Sequence, residues 1–236
     1  MSGSIIKGLN YIFTKFNKAI ILEDDILVSK DFVEYMNSSL NFYRSNKSIL
    51  SISGYNHHHY HKFINKNFKY DNFFSYRASS WGWSTWSDRW KIYKSKILLK
   101  KIKSLRSEID TKLGLDVYYS LLDINKNKKK LWAANWCFMS MINNKVTVYP
   151  KISRTSNIGF DGSGQGGYSF KFKNNLKNTN IRNFHYMNDL KLLNIINQKI
   201  FLKMFRRNII YIFISNLISP TIKKKVKNIF FNFNWK

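Results

Sequence analysis

Acidic residues are scarce in this chain: 13 Asp and Glu stand against 40 Lys and Arg, for a formal net charge of +27. Such a field attracts nucleic acid, anionic lipid or phosphorylated substrates. The excess is mostly Lys, however, and it accompanies an abundance of Ile, Asn, Phe and Tyr. An AT-rich coding sequence produces that mixture by codon bias, so the charge reads largely as compositional drift and no nucleic-acid partner is expected. Cysteine is nearly absent too. The single Cys137 excludes an internal disulfide framework, and its place between Trp136 and Phe138 predicts a buried, inert thiol. No uninterrupted apolar stretch reaches the roughly 20 residues that span a bilayer. Met1-Ser2-Gly3-Ser4 does not read as a signal peptide, which makes a cytoplasmic location the default expectation. What is present argues for a folded domain: 236 residues, 44% hydrophobic and 17% aromatic, suffice for a sizeable core.

Because acids are rare, three in succession stand out. Glu23-Asp24-Asp25 follows the apolar run Ala19-Ile20-Ile21-Leu22 and precedes Ile26-Leu27-Val28. The run has the length and composition of a parallel strand covered on both faces. In open α/β sheets, ligands bind just beyond such strand ends. Three adjacent carboxylates repel one another, and a divalent cation with hard oxygen ligands relieves that repulsion. Taken alone, the tripeptide also fits a solvated acidic turn that opens the next helix.

Further along, Ser29 is a candidate N-cap for a helix from Lys30, with Phe32, Met36, Leu40 and Tyr43 as its buried stripe. Ile49-Leu50-Ser51-Ile52 reads as a strand ending at Gly54, which completes a strand, helix, strand unit around the acids. Phe73-Phe74-Ser75-Tyr76 reads as another strand. Trp83, Trp86 and Trp90 stand at i, i+3 and i+7, as on one face of a helix, and suit a packed aromatic core. Residues 94–130 are helical and basic in pattern with a break near Gly114, and 132–141 predict a buried helix. Val146-Thr147-Val148-Tyr149 predicts a strand stopped by Pro150. The one glycine-rich stretch, 159–167, is either a loop that closes over a ligand or a plain surface loop. His57, His58, His59 and His61 lack the paired spacing of a zinc site. From residue 171 the character changes. Within 199–236, apolar runs such as Ile209-Ile210-Tyr211-Ile212-Phe213-Ile214 alternate with Arg206-Arg207 and Lys223-Lys224-Lys225. This extension suits either peripheral contact with an anionic membrane or a helical cap on the preceding domain.

Several blocks occur together in a telling order: Leu22-Glu23-Asp24-Asp25, then Trp81-Gly82-Trp83-Ser84-Thr85-Trp86, then Trp132-Ala133-Ala134-Asn135-Trp136, then Asn157-Ile158-Gly159-Phe160. In this order they resemble nucleotide-sugar glycosyltransferases of the GT-A fold. The resemblance is to bacterial sugar transferases related to the N-acetylglucosaminyltransferase I family, and it covers roughly residues 3 to 165. It implies an α/β fold: a GT-A-like, truncated Rossmann-like mixed sheet with flanking helices over residues 1–170, followed by a basic helical extension over 171–236. It also implies a nucleotide-sugar donor, a glycan or lipid-linked acceptor, a role in surface-polysaccharide synthesis, and Mn²⁺ or Mg²⁺ as cofactor. With the membrane contact through 199–236, the protein would sit at the inner face of the membrane.

The resemblance assigns candidate residues. Asp25 and Asp24 would ligate the metal, Glu23 and Asp24 would contact the ribose or metal-bound water, and Trp81 would contact the ligand. Arg77 and Arg154 are candidates for assisting the diphosphate. The histidine loop would line the acceptor side. An inverting transfer also needs a carboxylate to deprotonate the acceptor hydroxyl. Many relatives have Asp where this chain has Ala133, so Asp161, and after it Asp88, become the candidates. GT-A domains normally present strands and helices that cradle the nucleotide before the metal motif, whereas 22 residues precede Glu23 here. The expectation is therefore either an active sugar transferase with a truncated nucleotide half, or a catalytically inactive remnant or partner subunit.

Overall fold

The computed structural model describes residues 2–56, 68–94, 96–127, 132–159, 176 and 183–191. It is a mixed α/β architecture built on one five-stranded sheet and one small two-stranded sheet. The large sheet comprises β1 (Lys18–Ile21), β3 (Ile49–Ser53), β4 (Asn72–Ser75), β5 (Trp83–Trp86) and β6 (Val146–Pro150), in the order β1-β5-β3-β6-β4. Strands β3 and β6 run parallel, while β5 is antiparallel to both β1 and β3 and β4 is antiparallel to β6. It follows that β1, β3 and β6 share one direction and end on one side of the sheet. The small sheet pairs β2 (Ile26–Val28) with β7 (Thr155–Asn157) in antiparallel register, Ile26 opposite Asn157.

Helices cover both faces. On one lies α2 (Phe32–Phe42), whose stripe of Phe32, Met36 and Leu40, continued by Tyr43, is fully buried as the spacing predicts. The helix starts two residues later than Ser29 suggested. The Ser29 hydroxyl instead donates to the Asp31 carboxylate at 2.6 Å. On the other face α1 (Ser2–Ile12), α5 (Arg106–Lys112), α6 (Leu115–Asn127) and α7 (Trp132–Ile142) enclose a second core. The short helix α4 (Leu99–Ser104) adds Ile102 to it, and the break at Gly114 separates α5 from α6 as expected. Among the described residues, no helix is long and apolar enough to cross a membrane.

Two sequence expectations are corrected. Among the described residues the run before the acids is an edge strand, half-buried and antiparallel to its one neighbour, not a parallel strand covered on both faces. Its composition is that of a central strand, but sheet position is set by distant pairing that composition does not encode. The tryptophans do not share a helical face either. Trp83 and Trp86 belong to β5, and only Trp90 lies in a helix, α3 (Ser87–Trp90). The alternation of a strand sends Trp83 into the cluster with Trp90, Trp132 and Trp136, and Trp86 into the opposite core beneath the Arg89 guanidinium. The packed aromatic core itself is present: Trp83 stacks on Trp132 at 5.0 Å and lies 6.0 Å from Trp136. Cys137 is buried among these rings, and burial pushes its thiol up, as an inert cysteine requires.

Residues 183–191 return to the core. Met187 is 0% exposed; its N–H donates to Asn72 Oδ1 at 2.9 Å, and its carbonyl accepts from the Tyr43 hydroxyl. Asn72 Nδ2 donates to the same hydroxyl at 2.8 Å. The one phenol therefore closes a buried chain of hydrogen bonds between α2, β4 and the returning segment. Tyr43→Phe leaves a carbonyl and an amide without partners, and is expected to cost about 1–3 kcal/mol in urea unfolding. It should also speed proteolysis within 183–191, and unchanged values for both would refute this linkage.

Candidate active site

The acidic tripeptide lies where β1 ends and the chain turns into β2, a turn closed by Ile26 N–H on Glu23 O at 3.2 Å. Pairing of β2 with β7 brings the Asn157-Ile158-Gly159 segment directly onto it. Asn157 Nδ2 donates to Asp25 Oδ2 at 3.1 Å, and Ile158 N–H donates to the Asp25 carbonyl at 2.9 Å. Gly159 N–H is in turn held by Asn157 Oδ1 at 2.8 Å. A Cβ at position 159 would stand 2.4 Å from Asp25 Oδ2, so a side chain there would force the carboxylate to shift. The other carboxylate oxygen, Asp25 Oδ1, is buried and has no hydrogen-bond partner among the described residues. A buried carboxylate oxygen in that condition is costly unless a ligand completes it.

Glu23 is half-buried and Asp24 is exposed. Burial first, then the charges of Asp25 and Asp24, push the Glu23 carboxyl above its ordinary 4.5. A carboxyl that holds its proton more tightly when folded weakens the fold as it ionises. In metal-free protein, stability should therefore fall as the pH rises from about 4.5 through the raised folded value. Glu23→Gln is expected to raise the Tm at pH 7 in thermal unfolding without divalent cations, with no difference from wild type below about pH 4. An equal Tm at pH 7 would count against the strained charge cluster.

The neighbouring strand ends complete the floor. Gly82 lies at φ 72, where a Cβ would meet Thr155 Cγ2 at 2.7 Å and Leu22 Cδ2 at 3.2 Å. This close packing sets Trp81, whose carbonyl accepts from Thr155 Oγ1 at 2.7 Å, on the same side of the sheet as the acids. Tyr55, just past β3, meets Trp81 edge to face with ring centroids 4.5 Å apart.

Other candidates are placed elsewhere or committed to the fold. Arg77 is held bidentately by Asp116, at 2.8 and 2.6 Å, and also donates to Leu113 O. Arg154 is 1% exposed; its guanidinium lies over the Tyr35 ring at 4.2 Å and beside Asp31 at 3.4 Å. Its backbone joins the Gly54 carbonyl to the Ser29 N–H, so it ties β7 to β3 and to the approach of α2. Asp88 follows β5 at the far end of the sheet, where Lys18 pairs with Trp86, and is bound by Lys47 and Arg89. The two hydrogen bonds and the positive charges around it hold its carboxyl below the usual range against modest burial. Asp88 and the acidic turn thus stand at opposite ends of β1. Asp161 and the histidines at 57–59 and 61 lie outside the described residues, as does 199–236. Sequence reasoning quoted Asn157 and Gly159 as parts of a motif without giving either a role, and missed Tyr55 altogether; an aromatic directly after a strand-ending glycine was the available signal.

Among the described residues no three His, Cys, Asp or Glu side chains converge on one point. The turn therefore offers one inward carboxylate with acids beside it, rather than a closed protein cage.

The GNT-I family matches residues 7–97, a stretch that contains the acidic turn, Tyr55 and Trp81. No curated protein matches the chain. The Asn157–Gly159 turn that contacts Asp25 lies outside the matched stretch. Over residues 7–97 the chain is similar to the GNT-I family, a family of glycosyltransferases.

Proposed function

We propose that the chain is a metal-dependent sugar transferase that uses a nucleotide-sugar donor and a glycan or lipid-linked acceptor in surface-polysaccharide synthesis. The observation that carries this reading is the buried Asp25 Oδ1 at the end of β1, without a partner among the described residues and within the stretch that matches a glycosyltransferase family. The residues suit Mn²⁺ or Mg²⁺: a hard cation held by Asp25, with Asp24 adjacent, keeps positions for water and phosphate oxygens. Such a cation, when bound, neutralises charge on the departing nucleoside diphosphate.

The remaining work falls to the chain. Asn157 fixes the orientation of the Asp25 carboxylate, and Gly159 leaves room for it. Glu23, half-buried beside Asp24 and Asp25, is the acid we assign with Asp24 to contact a ribose hydroxyl or metal-bound water. Asp161 follows Gly159 by two residues and remains the proposed base for an inverting transfer. Arg77 and Arg154 we assign to holding the site walls, on the strength of their ion pairs. The contacts of 183–191 favour counting that segment with the catalytic unit, ahead of a basic extension that touches an anionic membrane.

Ala133 favours a second reading, a chain that binds its donor but does not turn it over. Release of uridine diphosphate from a panel of uridine diphosphate sugars, with and without Mn²⁺, separates the two. The first reading expects Mn²⁺-dependent release that falls by about 100-fold or more in Asp25→Asn, the scale of losing a principal electrostatic group. Release that is independent of Asp25 would overturn the site. Tight, metal-dependent binding with no release from any donor would favour the second reading.

A further inference from the structure

We propose that Tyr55 and Trp81 form a stacking platform for a neutral pyranose ring, a subsite that rests on the sugar-transferase reading above. Tyr55 follows β3 and Trp81 precedes β5, and the two residues flank a hydrogen bond from Gly54 N–H to Gly82 O at 2.8 Å. Their rings meet at 68° with centroids 4.5 Å apart, which makes a corner of one aromatic face and one aromatic edge. Both are half-buried, whereas Gly54, Gly82 and Trp83 beside them are buried. The two half-buried residues thus lie at the end of the sheet, one residue from Gly54 and Gly82, which both pack on Thr155.

The corner is held rigidly. Thr155 Oγ1 donates to Trp81 O at 2.7 Å, Ser53 Oγ donates to Tyr55 O at 2.9 Å, and Tyr55 N–H donates back to Ser53 Oγ at 3.1 Å. Preorganised aromatic surface binds without a large ordering cost. The chemistry suits a sugar. A pyranose has a face of C–H groups that rests on a π-surface and a rim of hydroxyls that stays wet, and Tyr and Trp are the side chains that combine an apolar body with a polar edge. The pair is a poor phosphate site, because the Arg77 guanidinium is held by Asp116. The acidic turn receives the charged end of a donor. The aromatic corner, on the same side of the sheet, receives an uncharged ring, that of the donor or of the acceptor.

The test uses the full chain and the methyl glycosides of glucose, galactose and N-acetylglucosamine, with binding followed by saturation-transfer NMR and tryptophan fluorescence. Free glycosides need neither cation nor nucleotide, so this arm reads the platform whether or not sugar transfer is found. At least one glycoside should bind wild type, weaken about tenfold or more in Tyr55→Ala and Trp81→Ala, and be retained in Tyr55→Phe. Circular dichroism confirms that each variant is folded. A second arm compares uridine diphosphate with its sugar conjugates. Weaker binding of the conjugates alone assigns the donor ring to the platform, and unchanged conjugates with weaker glycosides assign the acceptor ring. The proposal is overturned if no glycoside binds wild type, if both alanine variants bind like wild type, or if folded alanine variants lose uridine diphosphate itself.

Discussion

The contact between Asp25 and the Asn157–Gly159 turn is the constraint around which the site is arranged. It joins residues 132 positions apart, and it forms because β2 and β7 pair with Ile26 opposite Asn157. A slip of one residue in that register would turn the Asn157 side chain to the other face of the small sheet. Asp25 would then lose its amide partner, and the glycine that tolerates its carboxylate would stand elsewhere.

The large sheet supports this contact from below. Arg154 is the pin: its backbone bonds to the end of β3 and to the segment before α2, while its guanidinium is packed against Tyr35 and Phe184. An arginine so deeply buried needs a countercharge, which Asp31 supplies. The returning segment 183–191 therefore bears on the site indirectly, because Phe184 closes the aromatic cage around the arginine that fixes β7. At the opposite end of β1, Arg89 binds the carbonyls of Ile49, Arg44 and Asn46, and so anchors the start of β3. The positions of Arg89 and Arg154 show how a strongly basic chain tolerates buried cations: each charge is offset by carbonyls, rings or a nearby carboxylate.

Much of this was legible in the sequence where the signal was local. The stripe of α2, the strand β3, the break at Gly114 and the buried helix α7 each follow from spacing or from one residue type. The acids announced the candidate site because carboxylates are rare in this chain. Nonlocal facts were hidden. Nothing in Ala19-Ile20-Ile21-Leu22 distinguishes an edge from a centre, since the difference lies in which strands pair. Three tryptophans at helical spacing also fit a strand followed by one helical turn, and a segment that short does not separate the two periods. The ion pairs of Arg77 with Asp116 and of Arg154 with Asp31 span long separations, which proximity to motifs in the sequence does not encode.

The most direct test of the claim that Asp25 and the Asn157–Gly159 turn form a single cation and diphosphate site is a Mn²⁺ titration followed by electron paramagnetic resonance, with and without uridine diphosphate. The account predicts that wild type depletes the free-ion signal most strongly when the nucleotide is present. It further predicts that Gly159→Ala, which touches Asp25 only by steric contact, weakens that depletion as Asp25→Asn does. A Gly159→Ala protein that binds Mn²⁺ and nucleotide like wild type would contradict it.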